Sequence, residues 1–181
     1  MSGFPKSYTR LFWIYFYAFL ALGACVMPVY AEDPKQAAIF PFELILEQQM
    51  DGNFLPPTAS DKEKKRLKLM DRKLQELLES SGNFSRVDLS TYSEKIEKAS
   101  PIHDCKGCEL DFAKQAGANV AIVGLVRKAT NALINISIFI RDVKSGKLLK
   151  GGVVSIREDN DAGWVRAVRY IVRNKLLMRS R

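Results

Sequence analysis

The sequence of 181 residues is 47% hydrophobic, which is enough for one compact domain with its own core. Lys and Arg outnumber Asp and Glu by 28 to 20, and the formal net charge of +8 makes the chain basic. With a single histidine, any Ser/His/Asp catalysis is limited to His103, and neither a nucleophile elbow nor a phosphate-binding glycine-rich loop accompanies it.

The start of the chain has the three parts of a secretory signal. Lys6 and Arg10 precede an uninterrupted apolar run, residues 11–24, and a short segment ending in small residues follows. We therefore predict a signal peptide at residues 1–31 and a single domain at residues 32–181. An uncleaved transmembrane helix is the alternative, because the apolar segment approaches the roughly 20 residues that span a bilayer. The small residues at its end favour cleavage.

Two processing signals overlap at the end of this leader. Val29-Tyr30-Ala31 before Glu32 suits an ordinary signal peptidase and predicts a soluble periplasmic protein. Leu22-Gly23-Ala24-Cys25 instead resembles a lipobox, in which Cys25 would be acylated and would anchor the protein to a membrane. The residues after Cys25 stay apolar, whereas membrane tethers are usually polar and flexible, so we favour the soluble form.

A strand and a capped helix open the predicted domain. Residues 37–46 (AAIFPFELIL) form an apolar run rich in β-branched and aromatic side chains, which predicts one buried strand. Ser60 and Glu63 form a capping box that begins a helix extending to about Ser80. Cations crowd the first two turns of this helix, and we interpret them as a solvated face: Lys62, Lys64, Lys65, Arg66 and Lys68.

Further short elements follow in the middle of the chain. We predict a strand over residues 84–89, a weak helix from Ser90 that Pro101 ends, a helix over residues 109–116 and a strand over residues 120–127.

The next two strands continue this pattern. In residues 132–142 an isoleucine occupies every second position from Ile134 to Ile140, and Asn135, Ser137 and Arg141 lie on the other face, which predicts a strand with one buried face. A hairpin loop then leads into residues 148–157, where Gly151-Gly152 indicates a bulge. With the strand over residues 120–127, these segments predict an antiparallel meander.

A final helix is predicted over residues 161–178, with Trp164 on the apolar stripe that packs on the sheet. Arg166, Arg169 and Arg173 form a second stripe, which we interpret as a solvated face with a partner site as the alternative. The carboxylates just before this helix are predicted to cap it: Glu158, Asp159 and Asp161.

Cys105 and Cys108 are the only cysteines beyond the leader, and an oxidising compartment predicts a disulfide between them. A structural clip is the favoured interpretation. A redox pair is the alternative, with Cys105 as nucleophile and Cys108 as resolving thiol, because a helix N-terminus stabilises a thiolate. A metal site formed by His103 and both cysteines is a third hypothesis, although closed zinc sites draw a second ligand pair from elsewhere.

Three segments carry a resemblance to amino-terminal TolB-type domains. Ile39-Phe40-Pro41-Phe42 resembles the end of their first strand. Residues 113–126 (AKQAGANVAIVGLV) and 138–146 (IFIRDVKSG) resemble their helix, Gly-Ala turn, glycine-containing strand and D-x-x-x-G hairpin. The resemblance covers roughly residues 37–177. It implies an α/β (α+β) domain with a mixed sheet of about five strands, a C-terminal antiparallel meander and packed helices, in a group that usually serves as envelope adaptors.

A narrower resemblance rests on residues 105–110 (CKGCEL) together with residues 157–164. These segments are similar to a family of uncharacterised exported bacterial proteins, a domain of unknown function often encoded near periplasmic quinoprotein alcohol dehydrogenases. The resemblance implies an accessory role beside a periplasmic quinoprotein oxidation system.

Taken together, these features predict a non-catalytic periplasmic binding or accessory protein without a cofactor. Its expected partner is a periplasmic or envelope protein, contacted through Arg166, Arg169 and Arg173 or an exposed edge of the meander. Its basic charge also suits an anionic membrane surface, whereas an exported protein rarely meets nucleic acid. The alternatives are a thiol-disulfide accessory and a lipoprotein anchored through Cys25.

Overall fold

The computed structural model describes residues 33–47, 58–130 and 132–178, so the predicted signal peptide and Cys25 lie outside the described residues. Short 3₁₀ turns cover Ser90–Tyr92 and Ile102–Asp104, and a π turn, Val172–Leu176, continues the last helix. None of the described helices combines the length and apolar character needed to cross a membrane. In chain order the main elements are β1 (Lys35–Ile39), β2 (Glu43–Leu46), α1 (Asp61–Glu79), β3 (Phe84–Arg86), α2 (Ser93–Ala99), α3 (Cys108–Gln115), β4 (Val120–Thr130), β5 (Leu133–Asp142), β6 (Leu148–Ile156) and α4 (Asp161–Ile171).

All six strands belong to one mixed sheet in the order β3-β1-β4-β5-β6, and β2 also pairs with β4. β1 and β2 both run parallel to β4, and β3 runs parallel to β1. β4, β5 and β6 form the predicted antiparallel meander. The expected mixed α+β architecture is therefore confirmed.

The first predicted strand is divided into β1 and β2, which gives six strands where about five were expected. Phe40 donates its N–H to the carbonyl of Ile122 at 3.0 Å, but Pro41 has no N–H to donate. The N–H of Phe42 is then bonded to Asp71 Oδ1 of α1 at 2.7 Å rather than to β4. The proline thus interrupts the ladder, and the prediction of one continuous strand is wrong.

α1 and α4 pack on the first face of the sheet and form the larger core with it. The capping box at the start of α1 is present as predicted, with Ser60 and Glu63 bonded reciprocally. Trp164 of α4 is completely buried, which confirms its interpretation as a core residue.

The second face is covered over only part of its width. α2, α3 and the segments beside them pack against β1 and β4, where they bury Ala38, Phe40 and Ala121. Further along this face, Phe139 of β5 is half-buried and Val153 of β6 is 56% exposed. The β5–β6 part of the second face therefore stays open to solvent.

The bulge predicted at Gly151-Gly152 is wrong. The register of β5 and β6 shifts nearer the hairpin, where the pairing steps from Ile140 with Lys150 to Arg141 with Leu148. Both glycines remain in the regular ladder. They are required by packing, because a Cβ at either position would come within 3 Å of a side chain on a neighbouring element.

The buried ring of Phe42, which lies between β1 and β2, packs against Gly124 of β4. A Cβ at position 124 would overlap this ring, so a substitution there tests the contact. We predict that Gly124→Ala lowers the free energy of unfolding by about 1–3 kcal/mol, the usual cost of overpacking a core. Urea denaturation measures this change. Phe42→Leu should relieve part of it in the double variant, whereas strictly additive effects would contradict the contact.

Asp71, a half-buried residue of α1, accepts the N–H of Phe42 at the interruption between β1 and β2. Burial raises the pKa of the Asp71 carboxyl to about 6, although its hydrogen bond from Phe42 acts in the opposite direction. Because this folded pKa lies above the unfolded value of about 3.9, the contribution of Asp71 to stability is complete below pH 4 and is lost as the pH rises through 6.

We therefore predict that the Asp71→Asn variant gains stability relative to the wild type as the pH rises from 4 to 7.5. The asparagine keeps an oxygen that can accept the N–H of Phe42. The relative gain should be roughly 1–3 kcal/mol in the free energy of unfolding, measured by urea denaturation at both pH values. Glu94→Gln, at an exposed position of α2, controls for the removal of one negative charge. A stability difference that is the same at both pH values would contradict the account.

Candidate functional site

β6 lies at one end of the sheet, and its backbone polar groups alternate between its two sides. At the hairpin, Asp142 donates its N–H to the carbonyl of Lys147 at 2.9 Å, so Asp142 faces β6. The next residue, Val143, donates to the carbonyl of Asn119 at 2.9 Å, on the β4 side. Because successive residues of a strand point in opposite directions, the even-numbered residues of β5 bond to β6.

The consequence for β6 is a free row of donors and acceptors. Gly152 pairs with Ile138 in register, and its backbone groups therefore point towards β5. Those of Gly151, Val153 and Ser155 point away from β5. No other strand of the described residues pairs with that side of β6.

A groove runs beside this edge, between β6 and α4, with a volume of about 300 Å³. Val154 and Ile156 contribute apolar surface from the strand, and Ala167 does so from the helix. Tyr170 stands at its side and is 46% exposed. The remaining lining residues are Arg157, Glu158, Gly163 and Arg166.

The three arginines predicted from the sequence as partner contacts are exposed, Arg166 and Arg169 on α4 and Arg173 on the π turn that continues it. Arg166 lies in the groove and pairs with Glu158 at 3.3 Å, but both side chains are more than half exposed. An ion pair this exposed contributes little to stability, and a carboxylate of another molecule can replace Glu158 as the partner of Arg166. Arg169 and Arg173 continue the cationic stripe along the helix.

Cys105 and Cys108 form a disulfide at the start of α3, with their Cα atoms 5.6 Å apart. Both residues pack against the core of the second face, whereas the arginine stripe belongs to a helix of the first face. The residues predicted as redox and partner sites therefore do not form one site. The predicted metal ligands would require reduction first, because a disulfide supplies no thiolate.

The surroundings of the disulfide suit a structural bond. The carboxylate of Glu109 lies 3.8 Å from Cys105 Sγ, is buried, and pairs with Arg141. Arg141 also donates two hydrogen bonds to the carbonyl of Gly146, at 3.1 and 2.9 Å. The loop is thereby joined to the β5–β6 hairpin, and a nearby carboxylate opposes formation of a Cys105 thiolate.

His103 is bonded to a carboxylate that the sequence analysis did not single out. Its Nδ1 lies 2.8 Å from Glu43 Oε2. The same carboxylate accepts the N–H of His103 at 3.0 Å, the N–H of Ile102 and the hydroxyl of Ser100. Burial raises the pKa of Glu43, but the hydrogen bonds, led by that from His103, outweigh it and hold the pKa below its ordinary value. The local sequence gives no signal for this pairing across 60 residues.

The predicted capping role of the carboxylates before α4 is only partly correct: Asp161 lies in the first turn, where a negative charge suits the helix dipole, but no carboxylate is the N-cap. Asn160 caps the helix, accepting the N–H of Gly163 at 2.8 Å. Asp159 instead pairs with Lys128 at 2.7 Å and with Arg66, and Asp161 pairs with Arg66 at 2.8 Å. These carboxylates therefore act in an ion-pair cluster between α1, β4 and α4.

Arg66 is also the exception to the solvated face predicted for α1. Its side chain is only 12% exposed, and its guanidinium lies 5.5 Å from the ring centroid of Trp164. Lys128 joins the cluster by pairing with Glu63 at 2.7 Å. Burial acts against both charges, yet the pairing holds the pKa of Lys128 above and that of Glu63 below the ordinary value.

Several solved structures share the outline of this fold at low identity. The LpoB C-terminal domain from Salmonella enterica is 12% identical over 72% of this chain and 87% of that one, with a TM-score of 0.45. Lipoprotein GNA1162 from Neisseria meningitidis is 16% identical over 78% and 98%, with a TM-score of 0.48. TolB from Acinetobacter baumannii is 14% identical over 79% and 29%, with a TM-score of 0.40. These distant likenesses carry no functional argument.

No curated protein matches the chain significantly. A family model, in contrast, matches residues 35–176, which include every strand and helix described above. The chain therefore belongs to the DUF3280 family, described as "Protein of unknown function (DUF2380)".

Proposed function

We propose that this protein is an exported, non-catalytic accessory protein of the cell envelope that binds another envelope protein through β6. The observation that supports it is a nine-residue edge strand whose outer side has no partner strand in the described residues. Exposed apolar side chains accompany the edge: Leu148 is 60% exposed, Leu149 46% and Val153 56%. Exposed apolar surface beside unpaired strand groups is typical of a recognition edge.

The proposal includes delivery to the periplasm by cleavage of residues 1–31, which leaves a single domain at residues 32–181. The resemblance of residues 105–110 makes a periplasmic quinoprotein oxidation system the first place to seek the partner. An anionic membrane surface is a further candidate contact, because Lys65, Lys68 and Arg72 outnumber Asp71 and Asp161 around an open cavity beside α1.

Site-specific photo-crosslinking in intact cells tests the proposed interface. A benzophenone amino acid would replace Val153 at the open edge, or Lys95 on exposed α2 as the control. We expect one adduct of defined mass from position 153 and none from position 95. Adducts from both positions, or from neither in a folded and exported protein, would contradict binding through β6.

The disulfide at the start of α3 supports a second candidate, a thiol-disulfide accessory that uses Cys105 and Cys108. The nearby carboxylate of Glu109 weighs against it. We expect a reduction potential below about −300 mV, as for structural disulfides. A higher potential, or a mixed disulfide with another protein in cells, would instead favour the redox function.

The structural interpretation also predicts a stability effect. Replacing both cysteines, Cys105→Ser with Cys108→Ser, should lower the free energy of unfolding by roughly 2 kcal/mol, because the lost bond closed a short loop. Urea denaturation measures this loss. The crosslink from position 153 should persist in the double variant, and its disappearance from a folded double variant would contradict a purely structural role.

The lipoprotein alternative concerns Cys25, which lies outside the described residues. We propose cleavage before Glu32, so intact mass spectrometry of the protein from its native envelope should find a chain that begins there. Palmitate labelling that depends on Cys25 would establish the membrane-anchored form instead.

A further inference from the structure

We propose that the edge of β6 binds an extended, acidic segment of the partner by strand addition, with its side chains entering the groove beside α4. This inference rests on the proposed function and specifies the chemistry of the segment that is bound.

The outer side of β6 can form hydrogen bonds with a further strand. The N–H and C=O groups of Gly151, Val153 and Ser155 point away from β5, as the hairpin hydrogen bonds require. They are two residues apart, which is the repeat with which an added strand forms its hydrogen bonds. An extended segment would therefore find three successive donor and acceptor positions.

The groove beside α4 can accept side chains of the added strand. Residues of an added strand point alternately to the two faces of the sheet, so every second side chain would lie on the side of α4. There the floor is apolar, with Val154, Ile156 and Ala167, and Tyr170 stands at the side. Apolar side chains of the bound segment would cover this surface, in a volume of about 300 Å³.

The positive charge around the groove determines which kind of segment can bind there. Arg157 and Arg166 line the groove, against the single carboxylate of Glu158, and Arg169 and Arg173 extend the positive surface along α4. The pair between Arg166 and Glu158 is exposed and can exchange for a carboxylate from the partner. A segment with carboxylates beside its apolar residues therefore complements the site.

The same charges argue against a second copy of this chain as the occupant. Two β6 edges paired antiparallel about a two-fold axis would place both α4 helices on the same face of the joined sheet. Arg157 and Arg166, which line the groove beside the edge, would then approach their counterparts across the axis. Like charges brought together in this way disfavour the dimer, and a partner of opposite charge is preferred.

Peptide binding to the mature protein tests the backbone contact. The probe is a fluorescein-labelled nine-residue peptide with the sequence TVTETVTET, whose Val and Glu residues lie on the same face when the peptide is extended, and its control carries Lys in place of both Glu residues. Fluorescence anisotropy should show binding of the Glu peptide, with the Lys peptide weaker by about tenfold or more. Equal binding of the two peptides would overturn the inference.

Val153 allows the strand contact to be separated from the side-chain contact. Val153→Pro removes an outward N–H without removing a hydrogen bond to β5, and prolines are tolerated at such edge positions. It should weaken binding of the Glu peptide about tenfold, whereas Val153→Ala, which keeps the N–H, should change it less than about threefold. Circular dichroism confirms that each variant is folded. Equal effects of the two substitutions would overturn strand addition.

Arg166→Glu tests the charge independently of the backbone. It should reverse the preference, so that the Lys peptide binds more tightly than the Glu peptide. Lys95→Glu, with the same charge change on exposed α2, should leave the original preference intact. A crosslink from position 153 in cells without binding of either peptide would overturn this inference while the proposed function stands. Failure of both experiments would overturn both.

Discussion

The architecture depends on β4, the strand to which three others are paired. It spans 11 residues, and the first five are all buried, so both of its faces belong to the interior. On one side it pairs with β1 and then β2, which the proline interruption separates, and on the other with β5. Because β4 serves as the centre, β6 lies two strands away, where the layers of helices no longer enclose the sheet on both faces.

This unequal coverage leaves β6 as the longest edge strand among the described residues. In the part of the chain that the structure describes, α1 and α4 cover the first face, while the second face is covered only over β1 and β4. At the opposite end of the sheet lie β3, a strand of three residues, and β2, a strand of four residues, which both offer less to pair with. Arg157 and Arg166 line the groove beside the longer edge, so an unpaired strand side and positive charge occur together at β6. The disulfide loop belongs to the covered half, in keeping with a structural role.

Local patterns in the sequence predicted most of the elements but little of what joins them. The alternation over residues 132–142 and the capping box at Ser60 depend on neighbouring residues, and both were correct. The burial of Arg66 depends on its ion pair with Asp159, which lies 93 residues away. Glu43 and His103, which are bonded to each other, are 60 residues apart. No local pattern encodes such contacts. Helical spacing was enough to predict that the arginine stripe is exposed. That Arg166 lies beside β6 could not be predicted without the fold.

Amide hydrogen exchange along β6, resolved residue by residue in the mature protein alone, tests the central claim most directly. If the outer side of the strand is free, the N–H groups of Gly152 and Val154 exchange slowly, and those of Gly151, Val153 and Ser155 exchange quickly. This two-residue alternation is the predicted result. Slow exchange at all five positions would show that the edge is already paired, and it would contradict the account of β6 as a vacant recognition edge.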